Sequence, residues 1–263
     1  MTDKKIIFFD IDGTIIEEDT YMISESTMKA IQNTRKNGHF VIINTGRTNF
    51  MIDKELKEKI GFDGYLLGCG TEIIFREKVL MHQSLPLSLT KTVIEQLRKC
   101  RIDGVLEGSK KDYVDYPENM HTKHFRDFVC NMARKQGNWE DENLEIDKLF
   151  VCENENSDMN SFRRILEGEL DFIDRENGYW EIVPKGYSKA SGMEYLMNYL
   201  KMPIEATVAV GDSNNDLSML EYAHISIAMG NATKGVQDMA TYVTSDVHED
   251  GIEKAMKWIG VIS

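Results

Sequence analysis

The chain has 263 residues, 41% hydrophobic and 29% charged with only 4 prolines, a globular composition with room for one elaborated α/β domain or a core with an inserted one. Its net charge of −13 argues against surfaces that need a basic footprint, so no nucleic acid and no anionic membrane is expected as a partner. Four scattered cysteines without a CxxC pair, and no apolar run of membrane-spanning length, predict reduced thiols in a soluble, cytoplasmic protein.

Ile6 to Phe9 is a short, wholly apolar run that predicts a buried parallel strand, with Asp10 at its carboxyl end. Helical spacing follows from Ser24 to Lys36, with Ser24 as N-cap, Met28 and Ile31 on one face and Gly38 as the stop. Phe40 to Ile43 is a second buried strand that ends in the polar run Asn44, Thr45, Gly46 and Arg47. A helix is expected from about Asn49 to Ile60, closed by Gly61, and Tyr65 to Leu67 makes a third strand. Strand, helix, strand, helix, strand is the rhythm of a parallel sheet with helices on its faces. It returns late, with a helix at Lys189 to Leu200, strands at Thr207 to Val210 and Ile225 to Met229, and an edge strand at Tyr242 to Thr244.

Between these halves the composition becomes more charged. Strands are expected there at Val105 to Glu107, Lys148 to Cys152, Leu170 to Ile173 and Tyr179 to Val183, and helices at Leu89 to Cys100, His121 to Lys135 and Asp158 to Glu167. Gln136, Gly137 and Asn138 read as a loop. The fold class is therefore α/β: a Rossmann-like parallel-sheet core, residues 1–84 and 185–263, with an inserted α/β cap domain at 85–184.

Ligands of open parallel sheets bind beyond the carboxyl ends of the strands, and three polar clusters fall at such ends: Asp10 to Thr14, Thr45 to Arg47, and Gly211 to Asp216. A single aspartate at a strand end usually caps a helix or begins a turn. Asp10, Asp12, Asp212 and Asp216 meeting in one crevice is a different matter, because their mutual repulsion is costly unless a hard divalent cation neutralises it. Oxygen ligands of this kind favour Mg²⁺.

Asp10-Ile11-Asp12-Gly13-Thr14, Thr45-Gly46-Arg47, Lys189 and Gly211-Asp212-Ser213-Asn214-Asn215-Asp216, in that order, resemble the four motifs of the haloacid-dehalogenase-like superfamily. The motif spacing and the long insert after the second motif look like the Cof-type phosphatase branch with an α/β cap of class IIB, and the resemblance spans essentially the whole chain. It implies that Asp10 is a nucleophile forming an aspartyl-phosphate and that Asp12 acts as acid, then base. It implies Mg²⁺ held by the Asp10 carboxylate, the Asp12 backbone carbonyl and Asp212, with Asp216 orienting Lys189 or metal-bound water. The Thr45 hydroxyl, the Gly46 amide, Asn215 and the Ile11 backbone are implied as phosphoryl-binding groups, with Lys189 neutralising developing charge.

One departure from the branch is Gly68-Cys69-Gly70, where many relatives carry Asn-Gly-Ala. The cap's His121, Lys123, His124 and Arg126 read as a solvated helical face, with the two histidines at i,i+3 spacing, rather than as a binding site. The expected function is Mg²⁺-dependent hydrolysis of a small phosphomonoester, such as a sugar phosphate or phosphorylated cofactor. Phosphomutase chemistry on the same scaffold is the enzymatic rival. A regulatory phospho-acceptor is the rival of another class, and Asp12 speaks against it, because an acid/base beside the nucleophile hastens dephosphorylation.

Overall fold

A computed structural model of the chain describes residues 4–17, 20–131 and 136–263. The chain divides into two compact units. The first takes in the chain to Gly46, Ile52–Met81 and Ser188–Ser263; the second takes in Arg47–Met51 and His82–Tyr187.

Before the insert the first unit holds β1 (Ile6–Phe9), α1 (Glu25–Lys36), β2 (Phe40–Asn44), α2 (Lys54–Ile60), β3 (Gly64–Leu67), β4 (Glu72–Phe75) and β5 (Lys78–His82). The insert holds α3 (Leu87–Lys99), β6 (Asp103–Glu107), β7 (Asp112–Val114), α4 (Lys123–Cys130), β8 (Gly137–Asn138), β9 (Lys148–Cys152), α5 (Met159–Leu166), β10 (Leu170–Asp174) and β11 (Tyr179–Pro184). The first unit resumes with α6 (Lys189–Leu200), β12 (Thr207–Gly211), α7 (Leu217–Tyr222), β13 (Ile225–Ala228), α8 (Lys234–Met239), β14 (Tyr242–Val243) and α9 (Gly251–Trp258).

In the first unit the strands join in the order β14-β13-β12-β1-β2-β3-β4-β5. β1 runs parallel to both β2 and β12, whereas β4 turns back antiparallel to β3. The reason β1 is apolar throughout is visible in its two faces. Ile7 and Phe9 pack in one core with Ile31 of α1 and Ile252 and Met256 of α9, while Ile6 and Phe8 pack in another with Met193 and Leu196 of α6 and Met219 of α7. Each such fully buried side chain contributes roughly 1.5–3 kcal/mol relative to exposure. The chain leaves β1 toward β2 on one side and later returns to β12 on the other, so the carboxyl end of β1 is a topological switch point, where ligands of open α/β sheets bind.

In the second unit the order is β10-β11-β9-β6-β7-β8, antiparallel except for the short β7–β8 pair. Leu106, Leu149 and Ile182 face a core completed by Leu97 of α3 and Phe162 of α5. On the alternate register, Val105 and Cys152 pack with Phe125 and Val129 of α4. That face also carries Lys148, buried between Glu107 and Glu181 at 2.6 Å from each.

Three expectations are corrected in detail. The helix expected from Asn49 is a short 3-10 turn at Asn49–Met51, then α2 beginning at Lys54, because Asp53 is extended and starts the helix anew. Gly137 and Asn138 form β8 instead of a loop, pairing with Tyr113 and Val114. His121 lies outside α4, whose N-cap is Thr122, accepting from the Phe125 amide, so His121 and His124 share no helical face. Residues 132–135 of that expected helix lie outside the described residues.

Candidate active site

Asp10 follows β1 directly, and its backbone amide donates to the Val210 carbonyl of β12 at 3.0 Å. The chain then wraps tightly, with the Ile11 carbonyl accepting from the Ile15 and Ile16 amides, both at 2.9 Å. Gly13 takes φ +73°, a conformation costly for other residues, and a Cβ there would press into the Asp212 carboxylate. The turn is held from two sides: Thr14 Oγ1 donates to Asp212 Oδ1 at 2.9 Å, and Asn231 Nδ2 donates to the Gly13 carbonyl at 2.8 Å. The first and last polar clusters are thereby joined.

Asp212 follows β12 as Asp10 follows β1. Asp216 closes its loop, Oδ2 accepting from the backbone amides of Asp212 at 2.9 Å and Ser213 at 3.0 Å. The other oxygen, Oδ1, meets Lys189 Nζ at 2.5 Å, and the same ammonium reaches Asp10 Oδ1 at 2.7 Å. Lys189 stands at the first position of α6, behind a capping box in which Ser188 and Ser191 exchange bonds. A cation at a helix N-terminus opposes the macrodipole, and the two carboxylates compensate it. Its side chain is completely buried.

Asp10, Asp212 and Asp216 are all buried, with ligand oxygens within 4.8 Å of one another. Three carboxylates against one ammonium leave surplus negative charge in a dry place. Burial first, and then the Asp216 charge, pushes Asp10 up to about 7, against a partial lowering by Lys189. Burial, with Asp216 and Asp10 beyond it, pushes Asp212 up to about 8. Burial disfavours the charge on Lys189, but Asp10 and Asp216 outweigh it and hold the ammonium charged above its usual range. Hard oxygen donors and a charge deficit fit a divalent cation of the Mg²⁺ kind.

Of the other expected residues, Asp12 is half-buried and bridges to Ile16. Thr45 and Gly46 are buried after β2, with the Thr45 amide bonded to the Leu66 carbonyl at 2.9 Å. Asn215 is buried and accepts from Ser213 Oγ at 2.8 Å. Arg47 belongs to the second unit. Cys69 is buried and left-handed (φ 56°), in a turn whose amide bonds to the Thr45 carbonyl. Neither Asn231 nor the Thr14–Asp212 bond announces itself in the sequence, since both join segments some two hundred positions apart.

The profile of the haloacid dehalogenase-like hydrolases matches residues 7–256. The chain is similar to the 5-amino-6-(5-phospho-D-ribitylamino)uracil phosphatase YitU of Bacillus subtilis, 30% identical over 271 residues covering 97% of each. Among solved structures it resembles the subclass IIB sugar phosphatase BT4131, with TM-score 0.84 and 26% identity over 98% of this chain and 100% of that one. It also resembles the phosphatase BT1666 of Bacteroides thetaiotaomicron, with TM-score 0.85 and 26% identity over 98% of this chain and 96% of that one. No helix among the described residues is long and apolar enough to cross a membrane. A carboxylate cluster at the switch point of such a sheet, with a profile match over nearly its whole length, means that the chain belongs to the haloacid dehalogenase-like hydrolase family and stands among its phosphatases.

Proposed function

We propose that the chain is a Mg²⁺-dependent phosphomonoesterase working through an aspartyl-phosphate, with Asp10 as nucleophile and Asp12 as acid and base. The observation that carries this reading is the single buried ammonium of Lys189 shared between Asp10 and Asp216, beside a third buried carboxylate. Such a site is short of positive charge, as one built to receive both a cation and an anionic phosphoryl group must be.

Asp10 attacks phosphorus with the carboxylate oxygen not engaged by Lys189. The phosphorus–oxygen bond to the leaving group breaks, and that oxygen takes the proton from Asp12. Asp12, now a carboxylate, takes a proton from water as the water oxygen attacks the phosphorus of the acyl phosphate, releasing orthophosphate and restoring Asp10. Lys189 offsets charge on the phosphoryl oxygens, and Thr45, Gly46, Asn215 and the Ile11 backbone supply donors around them. Both oxygens of Asp216 are committed, one to Lys189 and one to two backbone amides, which suits an orienting group better than a metal ligand. Asp10, the Asp12 carbonyl and Asp212 would hold Mg²⁺, which lets an anionic nucleophile approach an anionic substrate.

The substrate proposed is a small phosphomonoester of a sugar, sugar alcohol or phosphorylated cofactor, the class to which YitU and BT4131 point. The insert at residues 85–184, which lies within the second unit, is proposed as the cap that selects it. A screen of orthophosphate release from sugar phosphates, nucleotides, flavin mononucleotide and pyridoxal phosphate tests the class, run with and without a sugar bisphosphate to separate hydrolysis from mutase chemistry. The hydrolase reading fails if phosphate release is absent throughout while phosphoryl exchange between sugar hydroxyls is present.

A further inference from the structure

The sequence of β2 is apolar from Phe40 to Ile43, yet its last residue, Asn44, is polar and 0% exposed. Nδ2 of Asn44 donates to the backbone carbonyl of Lys189 at 3.1 Å and stands 3.5 Å from Met219 Sδ. A carbonyl only accepts, so this bond decides which end of the amide carries the hydrogens. Oδ1 is then left buried with no hydrogen-bond partner among the described residues. An orphaned acceptor of this kind is a net cost to the folded state. The protein keeps it where the other end of the same side chain grips the main chain of the residue that bridges Asp10 and Asp216.

The first turn of α6 is also tightly seated from the other side. Gly70 has φ +90°, and a Cβ built on Gly192 would stand 3.3 Å from the Gly70 Cα. Lys189 therefore starts from a backbone gripped by the end of β2 and the turn after β3, and the reach of its Nζ depends on both.

We propose that Asn44 is a positioning residue: its amide registers the start of α6 against β2 and so sets the reach of Lys189 Nζ toward Asp10 and Asp216. The inference rests on the reading of Lys189 as the ammonium that neutralises charge during phosphoryl transfer. It makes a prediction that a packing role reverses. Asn44→Leu keeps the branch at Cγ in a larger, apolar side chain, deletes the grip and also removes the orphaned acceptor, so that the added bulk and the removed orphan act on stability in opposite senses, while the Lys189 carbonyl keeps the bond its own helix provides. Catalysis should fall although stability does not.

The experiment uses the full-length enzyme with Mg²⁺ and p-nitrophenyl phosphate. Asn44→Leu is expected to lower kcat about 10- to 100-fold, the cost of a misplaced catalytic group, with KM changed by less than about threefold. Its Tm should stay close to that of the wild type, and hydrogen exchange at the first-turn amides of α6 should quicken while β1 and β12 keep their protection. Asn44→Ala should show the same kcat loss with a lower Tm, because it leaves a cavity. Lys189→Met separates the two claims. If Lys189→Met is inactive but Asn44→Leu turns over within about twofold of wild type, the positioning role of Asn44 is overturned and the reading of Lys189 stands. Near-normal turnover by Lys189→Met overturns both.

Discussion

Replacing Asp212 by asparagine removes one of three buried carboxylates while leaving an oxygen to accept from the Thr14 hydroxyl, so the cation-free protein should become more stable as it becomes less active. Burial, with the charges of Asp216 and Asp10, raises Asp212 to about 8 from 3.8. At pH 7 that displacement corresponds to about 4 kcal/mol of folding free energy, and because the repulsion is shared with Asp10, a single substitution should recover about half. For a carboxylic acid whose pKa is higher folded than unfolded, the folded state binds the extra proton. Its contribution is thus complete below about pH 4 and is lost as the pH rises toward 8. In EDTA, wild-type Tm should therefore fall between pH 5 and pH 8. Asp212→Asn should fall less and, at pH 8, should melt about 4–8 °C higher than wild type. Millimolar Mg²⁺ at pH 8 should raise the wild-type Tm and leave the variant nearly unmoved. A variant that melts below the wild type at pH 8 in EDTA would refute the electrostatic reasoning.

Asp10→Asn should reduce turnover of p-nitrophenyl phosphate by more than about 10⁴-fold, and EDTA should silence the wild type reversibly; near-normal turnover by the homogeneous variant would sink the nucleophile assignment. In the second unit, Lys148→Met leaves Glu107 and Glu181 buried without the ammonium between them. It should destabilise the protein by about 3–5 kcal/mol, as breaking a buried ion pair does, readable as a lowered urea midpoint; an unchanged midpoint would show that the cluster is relaxed by water.

Where the chain is apolar on both sides or strongly amphipathic, its elements are legible in the sequence alone. β1 and β9 begin and end where the runs Ile6–Phe9 and Lys148–Cys152 do, and α6 begins after the Ser188 cap. What escaped was local and short. The β4 and β5 strands follow a turn in which Gly68, Cys69 and Gly70 all have positive φ, and β5 is half-exposed, so no buried run marks it. α8 is six residues long with one buried side chain, too little to carry a periodicity. Thr122 caps α4 and excludes His121, because the hydroxyl of this extended residue, held by donating to Asp103, accepts from the Phe125 amide in place of a further turn.

The candidate site divides in the same way. Four aspartates at strand ends are visible as a coincidence in one dimension. The division of Asp216 between two amides and an ammonium, the hydroxyl of Thr14 on Asp212, and the amide of Asn44 on Lys189 are not, because each joins residues or oxygens that only the folded sheet brings into one place.

The placement of β1 also bears on how the protein is made. Its neighbours in the sheet lie at Phe40–Ile43 and at Thr207–Val210, so a ribosome exposes one edge of the most apolar strand for most of the time it takes to synthesise the chain. Meanwhile His82–Tyr187 emerges as one contiguous stretch with apolar clusters of its own, able to fold while the first unit waits. Asp212, Asp216 and Lys189 all arrive after that stretch. A nascent chain therefore displays Asp10 without the full set of Lys189, Asp212 and Asp216 until synthesis is about four-fifths complete, and the carboxylate cluster is a late product of assembly instead of a template for it.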